Sequence, residues 1–254
     1  MTTSKQVAYS GMKRILIDGN NFCSIEEFYT EMERLLTRNL DWKTGRNLDA
    51  LADLLSGGFG FHEYGEKIEV FWSNSEKSKN DLGEDFFNIV LEIMNDDVSN
   101  CELKLIDLQT VTYQEKYRQD VFDFTDRCFS ELGKAFEPDG RHSFYREIES
   151  TFDSFWCMLC NSRVIGTVAI KRVDEATAEL KALYLDSGFR GLGLGQKLMD
   201  TALAFAREKS YGRVVLDSIA QYTHALKLYE KSGFTRIERY NDNQKAEIFM
   251  EKVL

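Results

Sequence analysis

Short apolar runs separated by amphipathic stretches dominate the first half of the chain. The runs at residues 13–17, 68–72 and 102–106 predict three strands. Apolar positions spaced by three and four predict helices at residues 24–36, 48–55 and 82–94. A capping box opens the first helix at Ser24, and Asn47 caps the second. This pattern predicts a small three-stranded α/β sandwich.

The second half contains more strand-like runs. Helical spacing predicts a helix at 113–132 and a second piece at 144–148, on either side of Pro138. The elements predicted after these are strands at 155–160, 164–173 and 178–185, a helix at 196–208, a strand at 213–216, a helix from Ala225 and two closing strands, the last at 246–253. We therefore expect an α/β (α+β) chain of two domains, residues 1–107 and 108–254. The stretch 102–108 could belong to either sheet.

A glycine-rich stretch, Arg190-Gly-Leu-Gly-Leu-Gly195, stands between a predicted strand and a predicted helix. Glycines allow backbone N–H groups to approach an anion, and the helix N-terminus adds its positive dipole end. Arg190 supplies a fixed positive charge. This order predicts a diphosphate site. A Rossmann fold also contains such a loop, followed about twenty residues later by an acidic residue. Asp217 stands at about that position, but we interpret it as a residue that ends a strand and caps a turn.

Three motifs in register resemble the GNAT acyltransferase superfamily, from about residue 112 to the C-terminus. They are the glycine-rich stretch, the strand Glu179-Leu-Lys-Ala-Leu-Tyr-Leu185, and Ala225-Leu-Lys-Leu-Tyr-Glu-Lys-Ser-Gly-Phe234. The resemblance implies a mixed, mostly antiparallel central sheet flanked by helices. Tyr240-Asn-Asp-Asn243 is similar to a branch of small bacterial members. Ala182 and Tyr222 depart from the family pattern, in which Arg and Asn are usual at these positions.

The resemblance implies an N-acetyltransferase that moves an acetyl group from acetyl-coenzyme A to a primary amine of a small molecule, peptide or protein. The implied cofactor-binding residues are Leu183, Tyr184, Leu185, Arg190, Gly191, Leu192, Gly193, Leu194, Gly195 and Gln196. Tyr229 occupies the position of the acid that protonates the leaving thiolate, or else is a packed aromatic. Glu179 is the candidate base, or else a surface glutamate. His224 is a second candidate base, for which a solvated or structural role is favoured.

Charge is divided unevenly between the halves. Residues 1–107 carry 11 Lys and Arg against 20 Asp and Glu, a net −9, whereas residues 108–254 carry 21 against 22, a net −1. An acidic surface repels phosphate backbones, so we expect no nucleic-acid ligand there and favour a basic protein. No apolar run approaches eighteen residues, and residues 1–11 lack the apolar core of a signal peptide, so no membrane partner is expected.

The cysteines are five in number and scattered along the chain. Their odd number and spacing favour a reducing compartment, and we expect the cytoplasm. Cys157 and Cys160 form a C-x-x-C sequence inside a predicted strand, where residues three apart face opposite sides. We therefore interpret them as buried apolar residues, and we expect no metal site because no cluster has ligand spacing.

The acidic half resembles the barstar family, small intracellular inhibitors of barnase-type ribonucleases, over residues 12–107. The resemblance rests on Asn47-Leu-Asp-Ala-Leu-Ala-Asp53, Ser56-Gly-Gly-Phe-Gly60 and Phe71-Trp-Ser-Asn-Ser75. It implies a basic, ribonuclease-like partner bound through Asn47, Asp49 and Asp53. The two aspartates lie four residues apart on one helix face near its positive end, which is also typical of solvated residues.

Two further functions stay open from the sequence. In the first, the chain is an immunity-type binding protein that recognises a basic ribonuclease, and the acetyltransferase half is accessory. In the second, the chain is a toxin that acetylates aminoacyl-tRNA. The toxin is the least favoured, because the second half is close to neutral and lacks the basic funnel that such a substrate requires.

Overall fold

The computed structural model describes residues 12–37 and 40–254. These residues divide into two compact units, one ending at Leu108 and the other spanning Gln109–Leu254. Each unit has its own hydrophobic core.

Three parallel strands form the sheet of the first unit, in the order β1-β2-β3. They are β1 (Lys13–Asp18), β2 (Ile68–Ser73) and β3 (Cys101–Ile106). The accompanying helices are α1 (Ile25–Leu36), α2 (Leu48–Ser56), α3 (Ser75–Leu82) and α4 (Glu84–Asn95). The central strand β2 is buried along its whole length, as expected for a parallel strand covered on both faces. The three-stranded sandwich predicted from the sequence is confirmed.

The helix predicted at residues 82–94 is wrong in extent, because the structure has two helices that meet at Gly83. Gly83 has φ +82, a conformation that a helix interior does not allow. The first of the two, α3, is almost entirely polar, so hydrophobic spacing could not reveal it. It is held by Ser78, whose hydroxyl accepts a hydrogen bond from the indole of Trp72 at 3.0 Å.

Seven strands form the sheet of the second unit, in the order β4-β5-β6-β7-β8-β10-β9. They are β4 (Leu108–Thr112), β5 (Ser154–Cys160), β6 (Arg163–Arg172), β7 (Thr177–Leu185), β8 (Arg213–Ser218), β9 (Thr235–Arg236) and β10 (Ile248–Val253). The β7–β8 pair is parallel, whereas β5–β6, β6–β7, β8–β10 and β10–β9 are antiparallel. This is the mixed, mostly antiparallel sheet that the sequence predicted. The ambiguous stretch 102–108 is divided, since β3 joins the first sheet and β4 opens the second.

Four helices accompany this sheet: α5 (Arg118–Glu131), α6 (Ile148–Thr151), α7 (Leu194–Glu208) and α8 (Thr223–Lys231). Both α5 and α7 pack on β6 and β7. The predicted start of α5 at residue 113 is wrong, because the N–H of Tyr113 donates to the carbonyl of Phe155 and extends the sheet instead. The predicted start of α7 is two residues late, so Leu194 and Gly195 already belong to the helix.

The structure also bears on the expectations for the cysteines, for membrane spans and for metal sites. Cys157 and Cys160 are buried within β5, and burial raises the pKa of the Cys157 thiol to about 12. Throughout residues 12–37 and 40–254, no helix is both long and apolar enough to cross a bilayer. Over the same residues, no group of three or more His, Cys, Asp or Glu could hold a metal ion.

Candidate active site

The parallel strands β7 and β8 pair over a short distance and then part. Their register covers Thr177–Arg213, Ala178–Val214 and Glu179–Val215. Beyond Glu179, β7 continues for six residues to Leu185, and β8 continues to Ser218. Side chains of β7 change from buried to half-buried at Lys181. The facing strand edges therefore carry backbone donors and acceptors that a ligand can use.

A β-bulge in β7 accompanies this separation. The pairing of β7 with β6 shifts register between Thr167 and Ala169, and Ala182 takes the left-handed φ of +51. That conformation costs a non-glycine residue about 1–2 kcal/mol. The hydroxyl of Thr167 donates to the carbonyl of Ala182 at 2.7 Å and holds the backbone in place. Bulges redirect strands and are frequent beside active sites.

The glycine-rich loop lies between β7 and α7. Gly191 and Gly193 have φ of +85 and +81, and a Cβ added to either would meet nothing within 4 Å. Gly193 is the N-cap of α7 and supplies no side-chain cap. The first N–H groups of a helix lack intrahelical partners, so those at the start of α7 are free to bind an anion. The loop therefore leaves backbone N–H groups accessible to an anion, and the diphosphate site stays a prediction.

The other predicted cofactor residues differ in burial and in the element that carries them. Leu183, Tyr184 and Leu185 lie half-buried on the part of β7 that has left β8. Leu192 and Leu194 are buried and anchor the loop. The remaining two predicted residues, Arg190 and Gln196, form polar contacts.

Arg190 and Gln196 are held by neighbouring side chains. The Arg190 guanidinium contacts Glu131 at 3.3 Å, so part of its charge is already compensated. The Gln196 amide donates to Ser232 at 3.2 Å and joins the start of α7 to the end of α8. Its Oε1 is buried without a hydrogen-bond partner among the described residues.

Tyr229 lies on α8 with 8 % of its surface exposed. Its ring meets that of Phe234 edge-on at 6.2 Å. Burial, with a contribution from the charge of Asp217, raises the pKa of Tyr229 to about 12. The pKa of Tyr184 on β7 is raised by burial and by neighbours that include Tyr229, so the two rings share one environment. Tyr229 is therefore a buried phenol that stays protonated at neutral pH.

A charged network connects β7 and β8 where they separate. Glu179 is buried and contacts Lys181 at 2.9 Å, and Asp217 contacts the same ammonium at 3.2 Å. Glu179 also accepts a hydrogen bond from the hydroxyl of Tyr240 at 2.6 Å. Asn241 donates to both carboxylates, at 3.3 Å to Glu179 and 2.7 Å to Asp217. We call Glu179, Lys181, Asp217, Tyr240 and Asn241 the carboxylate network.

The network fixes the charges of its members. Burial opposes the charged form of Lys181, but Glu179 and Asp217 outweigh it and raise the pKa of the ammonium. Burial likewise opposes the ionised form of Asp217, whereas Lys181 and two asparagines lower its pKa overall. Two carboxylates against one ammonium leave this end of the cleft negative.

The interpretation of Asp217 as a turn cap is wrong. It lies inside β8, and its carboxylate accepts from Lys181, Asn241 and Asn243. Sequence reasoning missed Lys181 as well. One signal was available: Glu179 and Lys181 stand two apart on a strand, so their side chains share a face. His224 is exposed on α8, in agreement with the solvated role favoured for it.

The predicted partner-binding residues of the first unit lie at the start of α2. The side chain of Asn47 accepts from the N–H of Ala50 at 2.8 Å and caps the helix, as predicted. Asp49 and Asp53 are exposed. Asp53 also lines a pocket of about 120 Å³ with the rings of Trp42 and Phe59.

One of the two basic residues in the loop before α2, Arg46, is already partnered. Arg46 forms ion pairs with Glu26 and Glu33, and the contact to Glu33 measures 2.9 Å. Arg46 therefore neutralises Glu26 and Glu33, whereas Asp49 and Asp53 on α2 remain exposed.

Comparisons with known proteins agree with these two arrangements. Residues 118–234 match the acetyltransferase (GNAT) family, and residues 12–113 match the family described as barstar (barnase inhibitor). An acetyltransferase of the GNAT family from Staphylococcus aureus Mu50 superposes with a TM-score of 0.54 at 22% identity, covering 57% of this chain and 98% of that one. An acetyltransferase from Streptococcus agalactiae 2603 gives 0.52 at 23% identity, covering 59% and 98%. These two structures show the fold of the second unit.

Curated relatives match the second unit in part. N-acetylaspartate synthetase of Danio rerio is 36% identical over 96 residues, which are 37% of this chain and 34% of that protein. N-acetyltransferase 8B of Homo sapiens is 32% identical over 124 residues, 47% of this chain and 46% of that protein. The chain spans less than half the length of both relatives. Since these relatives are animal proteins, membership of a bacterial branch stays a prediction. One family model therefore matches each unit, the barstar model over residues 12–113 and the GNAT acetyltransferase model over residues 118–234.

Proposed function

We propose that the second unit is an N-acetyltransferase that takes its acetyl group from acetyl-coenzyme A and transfers it to a primary amine of a small molecule, peptide or protein. One observation carries the proposal: β7 and β8 part beside a glycine loop that opens the N-terminus of α7. The loop and the first helical N–H groups would bind the diphosphate. The free edge of β7 at Leu183–Leu185 would bind the amides of the pantetheine arm.

The side chains around the cleft fit the proton transfers of this reaction. The amine nitrogen bonds to the acetyl carbon and loses a proton, while the carbon–sulfur bond breaks and the sulfur gains one. Tyr229 is proposed to donate the proton to the sulfur, because its hydroxyl stays protonated at neutral pH. Glu179 is proposed to receive the proton of the amine, directly or through water. The negative charge of the carboxylate network would also attract an ammonium-bearing acceptor.

The test measures acetyl-coenzyme A binding to the full chain by calorimetry, followed by coenzyme A release in the presence of a panel of amines. We expect saturable binding, a higher melting temperature with the cofactor, and amine-dependent release. A chain that neither binds acetyl-coenzyme A nor gains thermal stability from it would contradict the proposal.

We propose a second function for the first unit, the recognition of a basic, ribonuclease-like protein. Exposed Asp49 and Asp53 beside the pocket of Trp42 and Phe59 support it. An incoming Arg or Lys would meet a carboxylate and two aromatic rings, both of which attract cations. The family match over residues 12–113 points the same way.

This second proposal is tested by capture of a purified barnase-type ribonuclease on the full chain at low salt. Reversal of Asp49 and Asp53 to Lys should abolish capture. Reversal of Glu76 and Asp85, exposed acids on α3 and α4, makes the same change of net charge and should leave capture intact. Capture that is absent, or that is lost equally in both variants, counts against recognition by α2.

We further propose that the protein works in the cytoplasm, a reducing compartment that the odd number and scattered positions of its five cysteines favour. Fractionation of cells that express the tagged chain tests this location, and recovery from an oxidising compartment would contradict it.

A further inference from the structure

The loop between β9 and β10 is fastened by its own residues and by a buried ring. Arg239 donates to the carbonyls of Asn243 and Ala246 at 2.8 and 3.1 Å. Its guanidinium lies over the ring of Phe249 at 4.7 Å, and the ring of Tyr240 meets that phenylalanine edge-on at 5.6 Å. Phe249 is buried on β10. The first part of the loop, including Tyr240, is therefore attached to the sheet.

This loop reaches the point where β7 and β8 part. Phe249 of β10 pairs with Asp217 of β8, and Glu179 is the last residue of β7 that pairs with β8. The hydroxyl of Tyr240 donates to Glu179, and the amide of Asn241 donates to Asp217 at 2.7 Å. The loop thus connects three strands at the opening of the cleft.

The contacts of Glu179 all end on one of its two oxygens. Oε1 accepts from Tyr240 at 2.6 Å and from Asn241 at 3.3 Å, and it lies 2.9 Å from the ammonium of Lys181. Among residues 12–37 and 40–254, no group donates a hydrogen bond to Oε2. The last torsion of a glutamate is soft, so these contacts fix the plane of the carboxylate. One oxygen is therefore held, and the other is available to a ligand.

Tyr240 differs from the other two partners of Glu179. Lys181 and Asn241 are both shared with Asp217, whereas the hydroxyl of Tyr240 is given to Glu179. A separation of 2.6 Å is typical of a hydroxyl that donates to an ionised carboxylate. Burial, together with the hydrogen bond to Glu179 and its charge, raises the pKa of Tyr240, so the hydroxyl stays a donor. Tyr240 therefore orients Glu179 without neutralising it.

We propose that Tyr240 is a positioning residue for Glu179, an inference that rests on the proposed function: it holds Oε1 and leaves Oε2 to receive the proton of the acceptor amine. The amine nitrogen bonds to the acetyl carbon, and its proton passes to Oε2. The electron pair of the carbon–sulfur bond goes to the sulfur, which takes a proton from Tyr229. Tyr240 keeps its own proton throughout. A base acts only within hydrogen-bond distance of the proton it removes, so a carboxylate that rotates freely is less effective.

The experiment compares Tyr240→Phe with the wild type, in the full chain and with an amine that the wild type acetylates. This change keeps the ring on Phe249 and removes only the hydroxyl. We expect kcat to fall by about tenfold or more, as for the loss of a hydrogen bond to a charged group. KM for acetyl-coenzyme A should stay unchanged.

The pH dependence of kcat supplies a readout that a merely structural role would not move. A donor favours the ionised form of a carboxylate, so its removal should shift the acidic limb of the kcat profile to higher pH. The charged groups that face Glu179, Lys181 of β7 and Asp217 of β8, are the same in both proteins.

Tyr211→Phe is the matched control. The hydroxyl of Tyr211 donates to the carboxylate of Asp153, so this change also takes a tyrosine donor from a carboxylate in the second unit. Tyr211 is buried just before β8 begins, whereas Asp217 lies near the other end of that strand. The control should lower the melting temperature but leave kcat and its pH profile unchanged.

A second comparison shows whether Tyr240 acts through Glu179. In Glu179→Gln, the added Tyr240→Phe should lower the remaining kcat by less than about twofold, because the base that Tyr240 positions is gone. Melting temperatures of the four proteins, measured without acceptor or cofactor, should show the same coupling. Tyr240→Phe should lower that of the wild type more than that of Glu179→Gln.

Each other outcome overturns the role of Tyr240. Tyr240→Phe that behaves like Tyr211→Phe, or that lowers kcat by the same factor with Glu and with Gln at position 179, would do so and leave the acetyltransferase intact. So would Glu179→Gln with the kcat of the wild type. A rise in KM for acetyl-coenzyme A in Tyr240→Phe would show that Tyr240 serves the cofactor instead. A wild type that acetylates no amine would remove this role together with the proposed function.

Discussion

Tyr229 illustrates how burial prepares a side chain for proton donation. A phenol with a pKa of about 12 remains protonated across the whole physiological range. It cannot act as a base at neutral pH, and it lies on α8, the helix whose end Gln196 joins to the start of α7. The residue type and the environment therefore favour the same role, a general acid.

The role of Tyr229 leads to a kinetic prediction. Tyr229→Phe should lower kcat by about a hundredfold, the usual range for a lost general acid, with little change in the Kd for acetyl-coenzyme A. In the wild type, the rate should show no alkaline decrease assignable to Tyr229 below pH 10, since the pKa of Tyr229 is about 12. Calorimetry and initial rates measure both quantities. An unchanged kcat excludes the acid role.

Lys181 contacts both the buried carboxylate of Glu179 and the half-buried carboxylate of Asp217. Its removal would leave the charges of both carboxylates without this ammonium. The three side chains come from β7 and β8, so the ammonium reduces the repulsion between carboxylates on the two strands. Loss of one partner of a buried ion pair is more costly than its net contribution suggests.

We predict that Lys181→Met destabilises the second unit by about 2–3 kcal/mol at pH 8, less than a fully buried pair because Lys181 is partly exposed. In the wild type, the lowered pKa of Asp217 gives stability that is present above pH about 4 and lost as the pH falls through the folded-state pKa. In the variant, burial without the ammonium raises that pKa, so the folded state binds its proton more tightly than the unfolded state.

The variant should therefore recover stability as the pH falls, and its deficit should be smaller at pH 5 than at pH 8. Melting temperatures of both proteins at the two pH values measure this. Lys181→Met with Asp217→Asn restores the net charge of the wild-type site, removes the repulsion between the two carboxylates, and should be more stable than Lys181→Met alone. A deficit that is independent of pH would show that lost packing, not charge, is the cause.

At the scale of the element, the glycine loop and the N-terminus of α7 form one candidate anion-binding site. The loop needs left-handed backbone at Gly191 and Gly193, and the helix offers its free N–H groups immediately afterwards. A Cβ at either position would meet nothing within 4 Å, so packing does not require these two residues to be glycines. Because glycine has no side chain, a ligand can approach the backbone at both positions.

This arrangement predicts the effect of a single methyl group. Gly193→Ala should weaken acetyl-coenzyme A binding by about tenfold or more, because Cβ would occupy the approach to the N–H groups and the left-handed backbone costs about 1 kcal/mol. Gly65→Ala, with φ +77 and nothing within 4 Å of its Cβ, imposes a similar strain in the other unit. It should lower stability without any effect on the cofactor. Equal cofactor binding in both variants would contradict the assignment of the loop.

The elements differ in how far the sequence could predict them. The glycine loop was predictable because its function is local: the strand, the glycines and the helix are contiguous in the chain. The carboxylate network was not, because Tyr240 and Glu179 are 61 positions apart and meet only after the sheet has formed. The helix α3 was missed for a different reason, since its sequence is polar and its hydroxyl anchor Ser78 has no hydrophobic signature.

At the scale of the whole molecule, the two units are self-contained in their cores and in their candidate sites. The proposed cofactor and catalytic residues all belong to Gln109–Leu254, and the proposed partner-binding residues belong to the unit that ends at Leu108. The strong acidity of the first half and the near neutrality of the second fit this division of tasks.

We predict that residues 108–254 alone bind acetyl-coenzyme A with the Kd of the full chain, within about threefold, because no proposed cofactor residue is removed and β4 stays whole. Calorimetry on both proteins measures this. A fragment that folds, as judged by circular dichroism, but binds much more weakly would show that the first unit contributes to the cofactor site.

The separation of β7 from β8 also exposes the empty protein to a hazard. A strand edge without a partner is a template for any extended peptide, including a strand from another copy of the same chain. Bound acetyl-coenzyme A would cover that edge and prevent such pairing until it dissociates. The concentration of the cofactor would then govern solubility as well as turnover, and purified protein should be stored with coenzyme A present.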